Sequence, residues 1–151
     1  MKRIIDKVNG KFYYGWVIVL LSAMMLFLSA PGQTYSISVF IKVYIEEFGY
    51  TSTEISSAYS IATLISGTLL VFMGTFIDRF GVKKMVVIVA VLLGFTTFYN
   101  SFVSSIYMIF FGFFLLRYLG QGSMTLIPNT LVPQWFEKKR AFSISIAGIG
   151  G

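Results

Sequence analysis

The fold class this sequence predicts is an all-α integral membrane protein, and three observations predict it. Of its 151 residues 56% are hydrophobic and only 12% are charged, which is too apolar for a soluble domain of ordinary composition. The apolar residues fall in long runs, each near the ~20 residues that cross ~30 Å of hydrocarbon at 1.5 Å per residue. The positive charges stand in short clusters between those runs. Membrane topology accounts for such clusters better than a nucleic-acid partner does, so no nucleic acid is expected.

The runs give four complete transmembrane helices, at about 14–41, 56–77, 85–102 and 106–133, plus the start of a fifth from about 141. The first follows Lys2, Arg3, Lys7 and Lys11 and stays apolar and aromatic through Val39, Phe40 and Ile41. Its basic start and Leu28, Ser29 and Ala30 also fit a cleavable secretory signal. The apolar run past that site, with three further runs behind it, favours a retained helix. The second run carries a line of small residues, Ser56, Ser60, Thr63, Gly67 and Gly74, along which a neighbouring backbone can approach closely. A charged hinge over 78–84 separates it from the third. The fourth ends ahead of Lys138, Lys139 and Arg140, and the fifth stretch, 141–151, is about half of what a crossing needs. The chain therefore reads as a partial N-terminal transporter-type bundle, 1–151, of a longer protein.

Charge fixes the orientation. The N-terminal lysines and arginine, Arg79 with Lys83 and Lys84, and Lys138 with Lys139 and Arg140 fall on one side, while Lys42 with Glu46, Glu47 and Glu54 falls on the other. By the positive-inside rule the N-terminus, the hinge and the loop at Glu137 are cytoplasmic, in a multi-pass protein of the plasma (cytoplasmic) membrane whose partner is the lipid bilayer.

The chain has no cysteine and no histidine, which excludes disulfides and cysteine metal sites and removes the commonest general base and metal ligand. No carboxylate lies deep in a run. An intramembrane enzyme would need a nucleophile with its base, or a metal cluster, within the bilayer. No catalytic residue, cofactor or metal is expected, and the chain is not expected to be an enzyme.

Arg117 is the one formal charge deep in a run, roughly 16 Å beyond Ile106 at 1.5 Å per residue. An arginine at that depth costs roughly 2.5–3.5 kcal/mol on insertion scales, so it must face a partner, a protein interior or water. Two readings stand: a group that works on substrate, or a structural arginine bonded to backbone or amide groups of a neighbouring helix. Gly120, Gln121, Thr125 and Pro128 follow it at helical spacing and form a polar stripe. In the first run Ser22, Ser29, Gln33 and Ser36 share a face. Pro31 and Gly32 interrupt that run near its middle, where irregular backbone is tolerated only beside protein or a cavity. Ser29 and Ser36 also fit simple back-bonding to their own helix.

The segment Gly74-x-x-x-Asp78-Arg79-x-Gly81-x-Lys83-Lys84 resembles the cytoplasmic signature between the second and third helices of the major facilitator superfamily. Within it, the chain is most similar to the monocarboxylate porter and oxalate/formate antiporter branch. The residues that carry this are Tyr14-Gly15-Trp16, Ser38-Val39-Phe40, and Trp135-Phe136-x-Lys138-Lys139-Arg140-Ala141 followed by Ala147-Gly148-x-Gly150-Gly151. Val82 stands where a basic residue is usual, and glycine follows Arg117 by three residues rather than four. The resemblance implies a secondary carrier, an antiporter or symporter, in which two six-helix halves rock about a central site. The missing C-terminal half would be the partner of this chain. The resemblance also makes Gly74, Asp78, Arg79, Gly81, Lys83, Lys84 and Arg140 a cytoplasmic latch. It pairs the first and fourth helices as equivalent members of three-helix repeats, with kinks at Pro31, Gly32 and Pro128.

The substrate implied is a small organic anion, a monocarboxylate or dicarboxylate, because a guanidinium matches a carboxylate with a bidentate fork. Arg117, Gln121, Gln33, Ser29, Ser36 and Thr125 are the candidate binding residues. The alternative is a small four-span membrane protein that acts as an oligomeric or interaction scaffold.

Overall fold

A computed structural model describes residues 14–136 and 140–150 of the chain. Lys2, Arg3, Lys7, Lys11, Glu137, Lys138, Lys139 and Gly151 lie outside the described residues, as does the side chain of Arg140. Every regular element among the described residues is helical.

The first expected span is two helices, α1 (Gly15–Leu28) and α2 (Thr34–Phe48), joined by a 3₁₀ turn over Ala30–Gly32. Pro31 has no N–H to give an α-helical ladder, and the chain turns through tighter bonds, Gly32 N–H to the Ser29 carbonyl at 2.9 Å and Gln33 N–H to the Ala30 carbonyl at 3.1 Å. Gln33 is extended, with φ −76° and ψ 153°, and α2 starts after it. The helix runs past Ile41 to Phe48, because Tyr44 is buried against Phe113 with ring centroids 5.9 Å apart. Gly49, at φ 69°, then closes it in the left-handed region that glycine enters without strain.

Helix α3 (Ser52–Phe80) starts from a capping box. Glu54 N–H donates to the Thr51 hydroxyl at 3.3 Å, while Thr51 N–H donates to the Glu54 carboxylate at 2.8 Å. Helix α4 (Val82–Asn100) follows with one residue between, Gly81 at φ 82°. The charged hinge is thus mostly helix: Asp78 and Arg79 lie in the last turn of α3, and Lys83 and Lys84 in the first turn of α4. Helices α3 and α4 are each long and apolar enough to cross a membrane.

The fourth expected span is again in pieces. Helix α5 (Ile106–Leu115) is capped by the Ser105 hydroxyl, leads into a π-helix over Leu116–Ser123, and continues as α6 (Met124–Trp135). Pro128 lies buried inside α6, while the irregular backbone falls upstream of it. Helix α7 (Arg140–Gly148) closes the described chain.

Three apolar clusters hold these helices together. Met25, Met73, Val89, Leu93, Leu116 and Ile127 pack around the π-helix, and Ile37, Tyr44, Ile55, Ile109 and Phe113 pack where α2, α3 and α5 meet. Val19, Val132, Phe136 and Ala147 join α1 to α6 and α7, edged by Trp16 and Trp135. Large apolar side chains such as Leu64, Val71, Phe72, Val87, Phe95 and Phe98 point outward, as they do where lipid rather than water surrounds the helices.

Candidate functional site

Two irregular segments meet at the centre of the molecule. A Cβ built on Gly120 would stand 2.8 Å from the Gly32 Cα, and one built on Gly32 would stand 2.7 Å from the Gly120 Cα and press on the Leu116 carbonyl. Any side chain at either position would force the 3₁₀ turn and the π-helix apart. Helix-period reasoning puts Gly120 on the same stripe as Arg117; the structure turns it toward Gly32 instead.

The π-helix explains that difference. Its turn is wider than an α-turn, so residues four and five apart come onto one face. Arg117, Gln121 and Gly122 form one wall of a cleft of about 230 Å³, and Thr63, Ser66, Gly67 and Leu70 of α3 form the other. Carbonyls loosened by the wider turn are taken up by nearby hydroxyls. The buried Ser123 hydroxyl donates to the Tyr118 carbonyl at 2.7 Å, and the Thr125 hydroxyl donates to the Gln121 and Gly122 carbonyls.

Within the cleft, Arg117 Nη1 donates to the Thr34 hydroxyl at 3.2 Å, and the guanidinium carbon lies 5.4 Å from the centre of the Tyr59 ring. A guanidinium carries five N–H donors, and the described residues show Thr34 taking one of them. Gln121 Oε1 and Thr63 Oγ1 are buried without a hydrogen-bond partner among the described residues. The cleft therefore presents a cation with spare donors beside two unmatched polar atoms. Its lining is polar, with donors on Arg117 and Thr63 and an acceptor on Gln121 left unmatched among the described residues. A second cavity of about 200 Å³, lined by Pro31, Tyr44, Asn100 and Phe113 among others, has no charged side chain, and its Asn100 amide already donates to the Thr96 carbonyl at 2.8 Å.

Of the six candidate substrate residues, the cleft brings together Arg117 and Gln121. Ser29 and Gln33 serve each other beside the 3₁₀ turn. Gln33 Nε2 donates to the Ser29 hydroxyl at 2.8 Å, and that hydroxyl donates to the Leu26 carbonyl at 2.6 Å. Ser36 is half-buried and outside the cleft lining, and Thr125 is engaged with its own helix. Sequence reasoning missed Thr34, Tyr59, Ser66 and Leu70, and it took Thr63 and Gly67 for a packing line. No neighbouring element among the described residues comes within 4 Å of a Cβ built on Gly67 or Gly74. The signal was there: Tyr59, Thr63, Ser66 and Leu70 recur at helical spacing on one face of α3.

At the other end of α3 the expected latch residues Asp78, Arg79, Gly81, Lys83 and Lys84 are exposed, Gly74 is half-buried, and the Arg79 guanidinium carbon stands 5.7 Å from the Phe80 ring centre.

The Major Facilitator Superfamily matches residues 15–151. Among curated relatives, monocarboxylate transporter 9 of Mus musculus is 23% identical over 137 residues, covering 91% of this chain and 27% of the relative. Monocarboxylate transporter 9 of Rattus norvegicus matches over the same shares. The chain thus spans about a quarter, 27%, of the length of these relatives. No solved structure matches. With residues 15–151 matched, nearly the whole of its length, this chain belongs to the Major Facilitator Superfamily, a family of multi-pass membrane transporters and not of enzymes.

Proposed function

We propose that this chain is the opening portion of the N-terminal bundle of a secondary carrier that moves a small organic anion by alternating access. The anion's carboxylate docks on Arg117 in the cleft between α3 and the π-helix. The observation that carries this reading is the Arg117 guanidinium, which faces a cleft lined by hydroxyls and Gln121 while the described residues show Thr34 taking one of its donors. The mouse and rat relatives are named monocarboxylate transporters, which supports the same substrate class.

In this reading α1 with α2, α3, α4, and α5 with α6 make four crossings, and α7 begins a fifth. The N-terminus faces the cytoplasm across the plasma membrane. The outward-facing apolar side chains contact lipid. A second bundle of the same carrier closes the cleft from the other side, and Asp78 and its basic neighbours latch the cytoplasmic face. Charge pairs at such an edge contribute about 0–1 kcal/mol each, which suits a contact that must open every cycle.

The test is made in the full-length gene product. Arg117→Lys keeps the charge and loses the planar fork, while Arg117→Gln loses the charge. Both are expected to reduce carboxylate uptake, the glutamine variant more severely, with near-normal amounts in the membrane. Wild-type anion affinity in well-folded Arg117→Gln would refute the docking role.

A further inference from the structure

We propose that Tyr59 is the positioning residue for Arg117, holding its guanidinium against α3 so that its remaining donors point into the cleft. The proposal rests on the reading of that cleft as an anion site.

Three observations carry it. The Arg117 guanidinium carbon lies 5.4 Å from the Tyr59 ring centre, within the range where an aromatic face attracts a cation. Such a contact restrains the cation without filling a hydrogen-bond donor, so it leaves free the donors that Thr34 does not use. The ring is itself fixed: it meets Phe113 edge-on at 5.7 Å and 86°, and Phe113 is 1% exposed and packs on Tyr44. Finally, Tyr59 stands one helical turn before Thr63, on the same face of α3 that gives Thr63, Ser66 and Leu70 to the cleft.

An arginine has several rotatable bonds and loses much freedom when ordered. An aromatic anchor that has already imposed that order makes anion binding stronger without touching the anion. Thr34 could not do this alone, since a single bond to a side-chain hydroxyl leaves the guanidinium free to pivot about it.

The experiment uses the full-length carrier with Tyr59→Phe, Tyr59→Leu and Tyr59→Met, and two readouts. The first is the rate at which phenylglyoxal modifies Arg117 in the purified protein, followed by peptide mass spectrometry, which needs no substrate. The second is KM against maximal rate for carboxylate uptake. Tyr59→Phe should match wild type in both. The leucine and methionine variants should be modified several-fold faster at Arg117 and show KM raised roughly tenfold at unchanged maximal rate per folded carrier. Two non-aromatic variants are used so that misfolding of one leaves the other to decide.

Unchanged modification of Arg117 in the non-aromatic variants would overturn the positioning role, as would equal effects of phenylalanine and leucine. Faster modification with unchanged carboxylate KM would leave Tyr59 as the anchor and overturn the anion-site reading instead.

Discussion

Gly32 and Gly120 bring two backbones into direct contact, the 3₁₀ turn between α1 and α2 and the π-helix between α5 and α6. A Cβ on Gly120 would sit 2.8 Å from the Gly32 Cα and 3.0 Å from its nitrogen. Backbone atoms, unlike the end of a flexible side chain, cannot step aside. Gly120→Ala is therefore expected to destabilise the protein by about 1–3 kcal/mol. Gly94→Ala, in α4 with open space around the added methyl, should be stabilising by about 0.5–1 kcal/mol through helix propensity. Thermal unfolding in detergent reads both, and equal shifts for the two variants would contradict the close approach.

Ser123 supports the π-helix through its buried hydroxyl, which reaches five residues back to the Tyr118 carbonyl. Ser123→Ala should cost about 1 kcal/mol and should loosen the turn that sets Arg117 and Gln121 side by side. Hydrogen exchange at 118–124 should rise in this variant while exchange in the first turns of α3 stays unchanged.

Trp16 clasps the start of α1 to both sides of the segment 137–139. Its ring meets Phe136 at 5.4 Å and Phe142 at 6.3 Å, both edge-on. Each such pair adds about 0.5–1.5 kcal/mol beyond the area it buries. Trp16→Leu should lower the unfolding midpoint more than Trp16→Phe, which keeps an aromatic edge. Equal losses would show that area alone matters there.

The capping box at the head of α3 gives a local test. Thr51→Ala removes the acceptor of Glu54 N–H and the hydroxyl bond to the Glu54 carboxylate, leaving the backbone N–H bond from position 51, at a cost of about 1 kcal/mol. Amide exchange should increase in the first turn of α3 only.

Topology is open to the same cysteine-free background. Glu47→Cys, at the exposed end of α2, should react with an impermeant maleimide added to intact cells, and Phe80→Cys, exposed at the end of α3, should react only after permeabilisation. The reverse pattern would invert the orientation drawn from the positive clusters.

Composition and run length were enough to read a helical membrane protein, and the motif at 74–84 was enough to read the superfamily. Local backbone chemistry was legible where one residue dictates it. Pro31 with Gly32 announces a break whatever surrounds it, and Gly81 announces a reversal. The π-helix was not legible in this way, because no single residue in Leu116–Ser123 demands it; it exists through the fit of Gly120 against Gly32 and the hydroxyls of Ser123 and Thr125. Missing it misplaced the faces of the fourth segment, so Thr125 joined the expected site when its hydroxyl is spent on its own backbone. The role of α3 was hidden for a related reason. Small residues at helical spacing read equally as a packing seam or as the wall of a cleft, and only the position of Arg117 opposite them tells the two apart.

The break in the first segment has an electrostatic consequence at some distance from packing. Because α2 begins at Thr34, and no side chain caps it, the positive end of a 15-residue helix macrodipole opens beside the very hydroxyl that receives Arg117. That end is equivalent to roughly half an elementary charge. The surroundings of Arg117 thus hold a fixed positive potential that no substitution at position 117 can remove. If the cleft takes an anion as proposed, loss of the guanidinium should weaken anion attraction while leaving cations excluded, so a preference for negative charge would be written into the backbone as well as into the side chain.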